Sequence, residues 1–108
     1  MSSTESLQAA LEMVVLKTLS RGPNHGFGVA LAIEQNSSGL LHAEEGSLYP
    51  ALHRLEKNGL VESDWQVTDN GRRARFYKLT AAGRKRLREA EKSWVTLSEG
   101  VRLILEAK

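Results

Sequence analysis

Gly46-Ser47-Leu48-Tyr49-Pro50-Ala51-Leu52-His53-Arg54-Leu55-Glu56-Lys57-Asn58-Gly59 is the stretch on which the fold turns. Leu48, Leu52 and Leu55 recur at i, i+4 and i+7, so one face of a short helix is apolar. Glu44 and Glu45 precede it, where carboxylates suit the positive end of a helix dipole. Pro50 is expected in the first turn, where its missing N–H breaks no internal bond. Asn58-Gly59 ends the helix, with Gly59 suited to a left-handed closing position. The opposite face carries Tyr49, Pro50, His53, Arg54 and Lys57. An aromatic ring, an imidazole and cations facing outward suit a helix lying in the major groove of DNA. A solvated surface helix carries the same residue types, so the rest of the chain has to decide.

A chain of 108 residues is most simply one domain with a modest core. It has no cysteine, which excludes disulfides and thiolate metal sites. No apolar run approaches the roughly 18 residues that span a bilayer, so no membrane partner is expected. No charged segment followed by an apolar run marks a signal peptide, and a cytoplasmic location is the expectation. The net charge of +2 conceals an asymmetry. Residues 1–71 hold four Lys/Arg against nine Asp/Glu, whereas residues 72–92 hold nine Lys/Arg against two Glu. A local basic block of this kind points to a polyanionic partner.

Leu7, Leu11, Val14, Val15 and Leu19 predict a first helix from about Ser6 to Leu19, with Met13 and Leu16 widening its apolar arc. Such a helix contacts more than one neighbour, the core on one side and a partner subunit on the other. Residues 1–5 are expected to fray, and Arg21-Gly22-Pro23 closes the helix. Asn24 is expected to cap a second helix over 25–36, with Phe27, Ala30, Leu31 and Ile33 on its buried side. Gly26 and Gly28 each cost about 1 kcal/mol in a helix, which argues for close packing or a close phosphate. Ser37-Ser38-Gly39 is a turn and Leu40–Ala43 a short extended piece before the third helix.

After Gly59 the period changes to two. Leu60, Val61, Trp65 and Val67 predict a half-buried strand, with Trp65 in a structural role. Asp69-Asn70-Gly71 is a hairpin turn, since Asn-Gly tolerates positive φ. Residues 73–79 return as a second strand, with Tyr77 and Leu79 on one face and Phe76 on the other. A helix-turn-helix followed by a hairpin bearing Arg72, Arg73, Arg75 and Lys78 is a winged helix. Thr80 then caps a long final helix over about 81–106. Leu87, Ala90, Trp94, Leu97, Val101 and Ile104 alternate at intervals of three and four along it. That is an a/d seam, and a seam wants a facing helix, from a second copy or from its own domain. The expected architecture is mainly α with one small β-hairpin. Residues 1–80 form a winged helix-turn-helix unit including the N-terminal helix. Residues 81–108 form a C-terminal dimerisation helix, and the two make one structural unit.

These segments resemble the PadR family of bacterial transcriptional regulators. The resemblance is carried by His25-Gly26-Phe27-Gly28, by the run from Glu45 to Glu56 with its Leu48-Tyr49-Pro50 start, and by Arg73 through Gly83. It spans nearly the whole chain and is similar in length to the short subfamily with a single C-terminal helix. Phe27 departs from the family, which often has Tyr there. The resemblance implies a dimeric repressor in which the last helix forms most of the dimer. It also implies release from DNA by a phenolic or other hydrophobic small molecule.

The residues expected to touch double-stranded DNA are Asn24, His25, Gly26, Ser47, Tyr49, His53, Arg54, Lys57, Arg72, Arg73 and Arg75. Tyr49 offers its ring to a thymine methyl and its hydroxyl to a phosphate. Ser47 reaches a phosphate or base edge. His53, Arg54 and Lys57 lie further along the outer face, and a salt bridge would serve Arg54 equally well. The wing arginines anchor the backbone. Asn24, His25 and Gly26 present free helix N–H groups to a phosphate. Twofold symmetry predicts a pseudo-palindromic operator. Leu87, Ala90, Trp94, Leu97, Val101 and Ile104 are candidates for the homodimer seam, where Trp94 either packs the interface or walls a pocket for a small aromatic effector. No metal or cofactor is expected. No nucleophile elbow or phosphate-cradling loop marks an enzyme. A winged helix that binds protein in place of DNA is the alternative, and the retained wing arginines argue against it.

Overall fold

The computed structural model describes the backbone of residues 3–108 and side chains from residue 8 onward. Met1 and Ser2, expected to fray, lie outside the described residues, as does the side chain of Leu7. The element order is α1 (Ser3–Leu19), β1 (Asn24–His25), α2 (Gly26–Asn36), α3 (Glu45–Lys57), β2 (Val61–Val67), β3 (Arg73–Leu79) and α4 (Ala81–Glu106). The sheet is antiparallel in the order β1-β3-β2. Helix α1 starts three residues before the expected Ser6. The strand β1 is new. Asn24 pairs with Tyr77 and His25 with Phe76, and two residues are too few to leave a periodic trace in sequence.

One core joins the four helices and the hairpin. Val15, Leu16 and Leu19 of α1 meet Val29 and Ile33 of α2, and Leu48, Leu52 and Leu55 of α3. The hairpin adds Val61, Tyr77 and Leu79, with Leu60 just before it. The expected leucine stripe of α3 is thus wholly buried. On α2 the expectation needs correcting. Val29, Ile33 and Gly26 are buried there, while Phe27 is 67% exposed and Leu31 is exposed too. The helix is rotated because His25 pairs with β3, which turns Phe27 outward. Trp65 and Val67 are also exposed, because the hairpin runs past the core at its distal half.

Helix ends follow from local chemistry. Gly59 has φ +73°, and the Leu60 N–H donates to the Leu55 carbonyl at 2.9 Å, a Schellman closure of α3 as anticipated. Pro50 sits in the second turn, not the first, because α3 begins at Glu45. The Gly46 carbonyl loses its usual partner there, and both residues are exposed to solvent. Helix α2 is capped by His25, not Asn24. The Gly28 N–H donates to His25 Nδ1 at 3.0 Å, while Asn24 Oδ1 accepts from the His25 N–H at 2.9 Å. Thr80 caps α4 as expected, its Oγ1 accepting from the Gly83 N–H at 3.0 Å. The same hydroxyl donates to the Gly59 carbonyl at 2.7 Å.

Gly83 is a contact that sequence reading passed over. A Cβ there would lie 2.0 Å from the Leu60 carbonyl oxygen, so only a glycine lets α4 start against the end of α3. Leu87, next along α4, is 6% exposed and belongs to this core. It therefore leaves the seam proposed for a partner, because the first two turns of α4 lie on their own domain. Lys17 of α1 pairs with Glu91 at 3.1 Å on the same side.

Two stability measurements check these joints. Gly83→Ala is expected to cost about 2 kcal/mol in urea unfolding, as overpacking against backbone does. His25→Ala should cost about 1 kcal/mol through the lost cap, and His25→Asn should recover most of it. Equal losses for the two His25 variants would assign its contribution to ring contacts instead.

Candidate nucleic-acid interface

The leucine stripe of α3 faces the core, so Tyr49, Pro50, His53 and Lys57 face outward and are exposed. The hairpin stands beside this helix and encloses a groove of about 910 Å³. His25, Gly26 and Phe27 form one wall, Tyr49 and Tyr77 the floor, and Trp65 with Thr68–Arg75 of the wing the other wall. The groove holds Arg72, Arg73 and Arg75 against the single carboxylate of Asp69. Its apolar lining is aromatic.

The local structure explains each side chain. Tyr49 rests on Gly26, where a Cβ would come 2.5 Å from Tyr49 Cε1. Gly28 is required by Asn24, whose Oδ1 would lie 2.0 Å from a Cβ. Both glycines therefore make room for a side chain within the protomer, the first of the two explanations open from sequence. The His25 ring meets Phe76 edge-on at 5.1 Å. With Nδ1 engaged in the cap, it keeps a fixed orientation at the groove wall. The Tyr77 phenol is pushed up from its ordinary range by burial, opposed by Arg75 and reinforced by Glu56 and Tyr49. It stays protonated at neutral pH.

At the wing, Gly71 adopts φ +82°. The Thr68 N–H donates to the Arg72 carbonyl at 2.7 Å, and Asn70 Oδ1 accepts from the Arg72 N–H at 3.3 Å. The turn is thus Thr68–Arg72, wider than a two-residue Asn-Gly hairpin. Trp65 lies across the strand pair from Arg75. The guanidinium carbons of Arg73 and Arg75 lie 5.3 Å and 5.8 Å from its ring centroid. Trp65 therefore faces the groove and is 56% exposed, contrary to the structural role expected. Stacking keeps both arginines extended along it.

Of the expected DNA contacts, His25, Gly26, Tyr49, Arg72, Arg73 and Arg75 line this one groove. Asn24, Ser47, His53, Arg54 and Lys57 lie outside it. Asn24 is turned onto Gly28. Arg54 is half-buried, with Nε 3.6 Å from Glu12 Oε1 on α1, the salt-bridge alternative recognised in the sequence. Ser47, His53 and Lys57 remain exposed on α3. Phe27, Trp65 and Tyr77 are groove residues missed from sequence. Counting strand pairs outward from a two-residue Asn70-Gly71 turn would have set Trp65 opposite Phe76; the wider Thr68–Arg72 turn sets it opposite Arg75.

Beyond Ala90, α4 leaves its own domain. Trp94, Leu97, Val101 and Ile104 are all exposed, as are Val95, Leu103 and Leu105. Residues 93–108 carry no net charge; Arg102 pairs with Glu99 and Glu106 along the helix. Among the described residues no helix is long and apolar enough to cross a membrane. No three His, Asp or Glu side chains among them converge to hold a metal ion.

Comparison with known proteins places this architecture. The chain is similar to the transcriptional regulator Rv3488 of Mycobacterium tuberculosis, with 33% identity over 97 residues, covering 90% of this chain and 87% of that one. A PadR family transcriptional regulator from Eggerthella lenta superposes with a TM-score of 0.80 at 31% identity, over 97% of this chain and 90% of that one. A PadR-like transcriptional regulator from Bacillus cereus gives a TM-score of 0.81 at 26% identity, over 96% and 99% of the two chains. The family model of PadR-like transcriptional regulators matches residues 15–89, from the buried end of α1 into α4. With that match covering most of the chain, from the end of α1 through α2, α3 and the hairpin, the protein belongs to the PadR-like family of transcriptional regulators.

Proposed function

We propose that the protein is a sequence-specific DNA-binding repressor that works as a homodimer. The observation that carries the proposal is the groove, where three arginines and four aromatic rings converge beside an outward-facing helix. Helix α3 enters the major groove with Tyr49 toward the bases and Ser47, His53 and Lys57 along the same face. Arg72 and Arg73 reach phosphates on the flank. The wall from His25 to Gly26 approaches the backbone. Arg54 contributes to α1 packing and not to DNA.

The dimer forms along α4 beyond Leu87. Seven large apolar side chains stand exposed between Trp94 and Leu105, and an exposed apolar strip of this kind is covered in a functional protein. Ala90, Trp94, Leu97, Val101 and Ile104 make the seam, and α4 with the winged unit forms one body. The two α3 helices then stand on the order of 34 Å apart, one turn of DNA, and read a pseudo-palindrome. A flat hydrophobic effector beside Trp94 shifts that spacing by preferring one dimer geometry, and DNA is released.

Selection of bound DNA from a random pool tests the whole reading; the expected product is a pseudo-palindrome, and a single asymmetric half-site argues against it. Changing Arg72 and Arg73 to Ala should weaken operator and random DNA alike and reduce the slope of log K against log salt by about 0.9 per contact. Unaltered binding would remove the wing from the interface. Tyr49→Ala should reduce operator affinity by about tenfold or more while random DNA loses less. Leu97→Asp with Val101→Asp should yield monomers in analytical ultracentrifugation and abolish operator binding; a persistent dimer would place the seam elsewhere.

A further inference from the structure

Three elements meet in one hydrogen-bonded triangle beside the groove. Glu56 lies in the last turn of α3, Ser63 on β2 and Arg75 on β3. Arg75 Nε donates to Ser63 Oγ at 2.7 Å. Ser63 Oγ donates to Glu56 Oε2, and Arg75 Nη2 lies 3.5 Å from that same oxygen. The direction of each bond is forced. A guanidinium only donates, an ionised carboxylate only accepts, and the serine hydroxyl has one proton, which Glu56 takes. The remaining face of the guanidinium stacks toward Trp65.

Two further facts bear on what this triangle does. Glu56 sits at the negative end of the α3 dipole, where a carboxylate is unfavourable. Its compensating charge comes from β3 and not from its own helix. Among the described residues, neither Arg72 nor Arg73 pairs with a carboxylate, whereas Arg75 spends one edge of its fork inside the protomer. The three wing arginines, equivalent in sequence, are therefore not equivalent in structure.

We infer that Arg75 is a positioning residue and not a phosphate anchor. Through Ser63 and Glu56 it sets the angle between the wing and α3. It thereby fixes the reach of Arg72 and Arg73 relative to Tyr49. The consequence for DNA rests on the proposed function, but the brace itself is a property of the free protein.

Arg75→Lys separates the two roles. Lysine serves a phosphate as a point charge, but it lacks the planar fork that engages Ser63 and Glu56 together. The expected result is a loss of about fivefold in operator affinity, with random-DNA affinity and salt slope unchanged. Glu56→Ala, which removes no positive charge, should give the same loss. The double variant should be no worse than either single one, as members of one network behave. Wild-type binding by Arg75→Lys, or tighter binding to all DNA by Glu56→Ala, would overturn the inference, since a phosphate anchor behaves that way.

A measurement without DNA keeps the two proposals apart. The chain has two tryptophans, hence two indole N–H signals in a nitrogen-correlated NMR spectrum, assigned with Trp65→Phe. Both Arg75→Lys and Glu56→Ala should shift the Trp65 signal and leave that of Trp94 in place. An unmoved Trp65 signal in both variants refutes the brace. Failure of the wild-type protein to retard any duplex would refute only the DNA-binding reading.

Discussion

Everything outward-facing in this molecule depends on the burial of Leu48, Leu52 and Leu55. Fully burying a leucine contributes about 1.5–3 kcal/mol, so three on one stripe leave α3 a single rotational setting. Once that face is committed to α1 and the hairpin, Tyr49 must stand at the surface, and its ring comes down on Gly26. The two glycines at the start of α2 follow from the same constraint. Each would ordinarily weaken the helix. Here each makes room for a side chain, Tyr49 in one case and Asn24 in the other. The groove exists because these contacts hold the start of α2 close to α3 while the wing stands off from both.

Much of this was legible in sequence, because it is written in local rules. The stripe of α3, the left-handed Gly59, the Asn70-Gly71 turn and the Thr80 cap are decided by residues within one or two turns of each other. What escaped depends on partners far apart in the chain. The strand Asn24–His25 exists only because β3 offers it hydrogen bonds, and its formation moves the cap of α2 by one residue and turns Phe27 outward. Trp65 carries the composition of a core residue. Its exposure follows from the hairpin outrunning the core, a matter of length and placement that alternation does not encode. Pro50 lies in the second turn because it is the sixth residue of a helix that begins at Glu45.

The charge pattern divides along the same lines as the packing. Arginines of the wing face the groove, while five of the six cations of α4 occupy its first half, against the dipole of a helix whose first turn holds no carboxylate. The far half of α4 holds only Glu99, Arg102 and Glu106 among its charged residues and is rich in large apolar side chains. A single helix thus changes character along its length, from a segment lying on its own core through Leu87 to one exposing Trp94, Leu97, Val101 and Ile104. In the candidate site the distinction among Arg72, Arg73 and Arg75 lies beyond sequence reading. It depends on a carboxylate and a hydroxyl brought in from two other elements.

Thr80 and Gly83 bind the beginning of α4 to Gly59 and Leu60, the two residues that follow the C-cap of α3. One hydroxyl caps the former helix and grips the carbonyl behind the latter, and the bare Cα of Gly83 lets the backbones touch. Helix α4 is 26 residues long, or about 39 Å. Geometrically it is a lever whose short end is fastened beside the close of α3 and whose long end carries Ile104, so a small change of angle at the junction displaces the far end by many times as much.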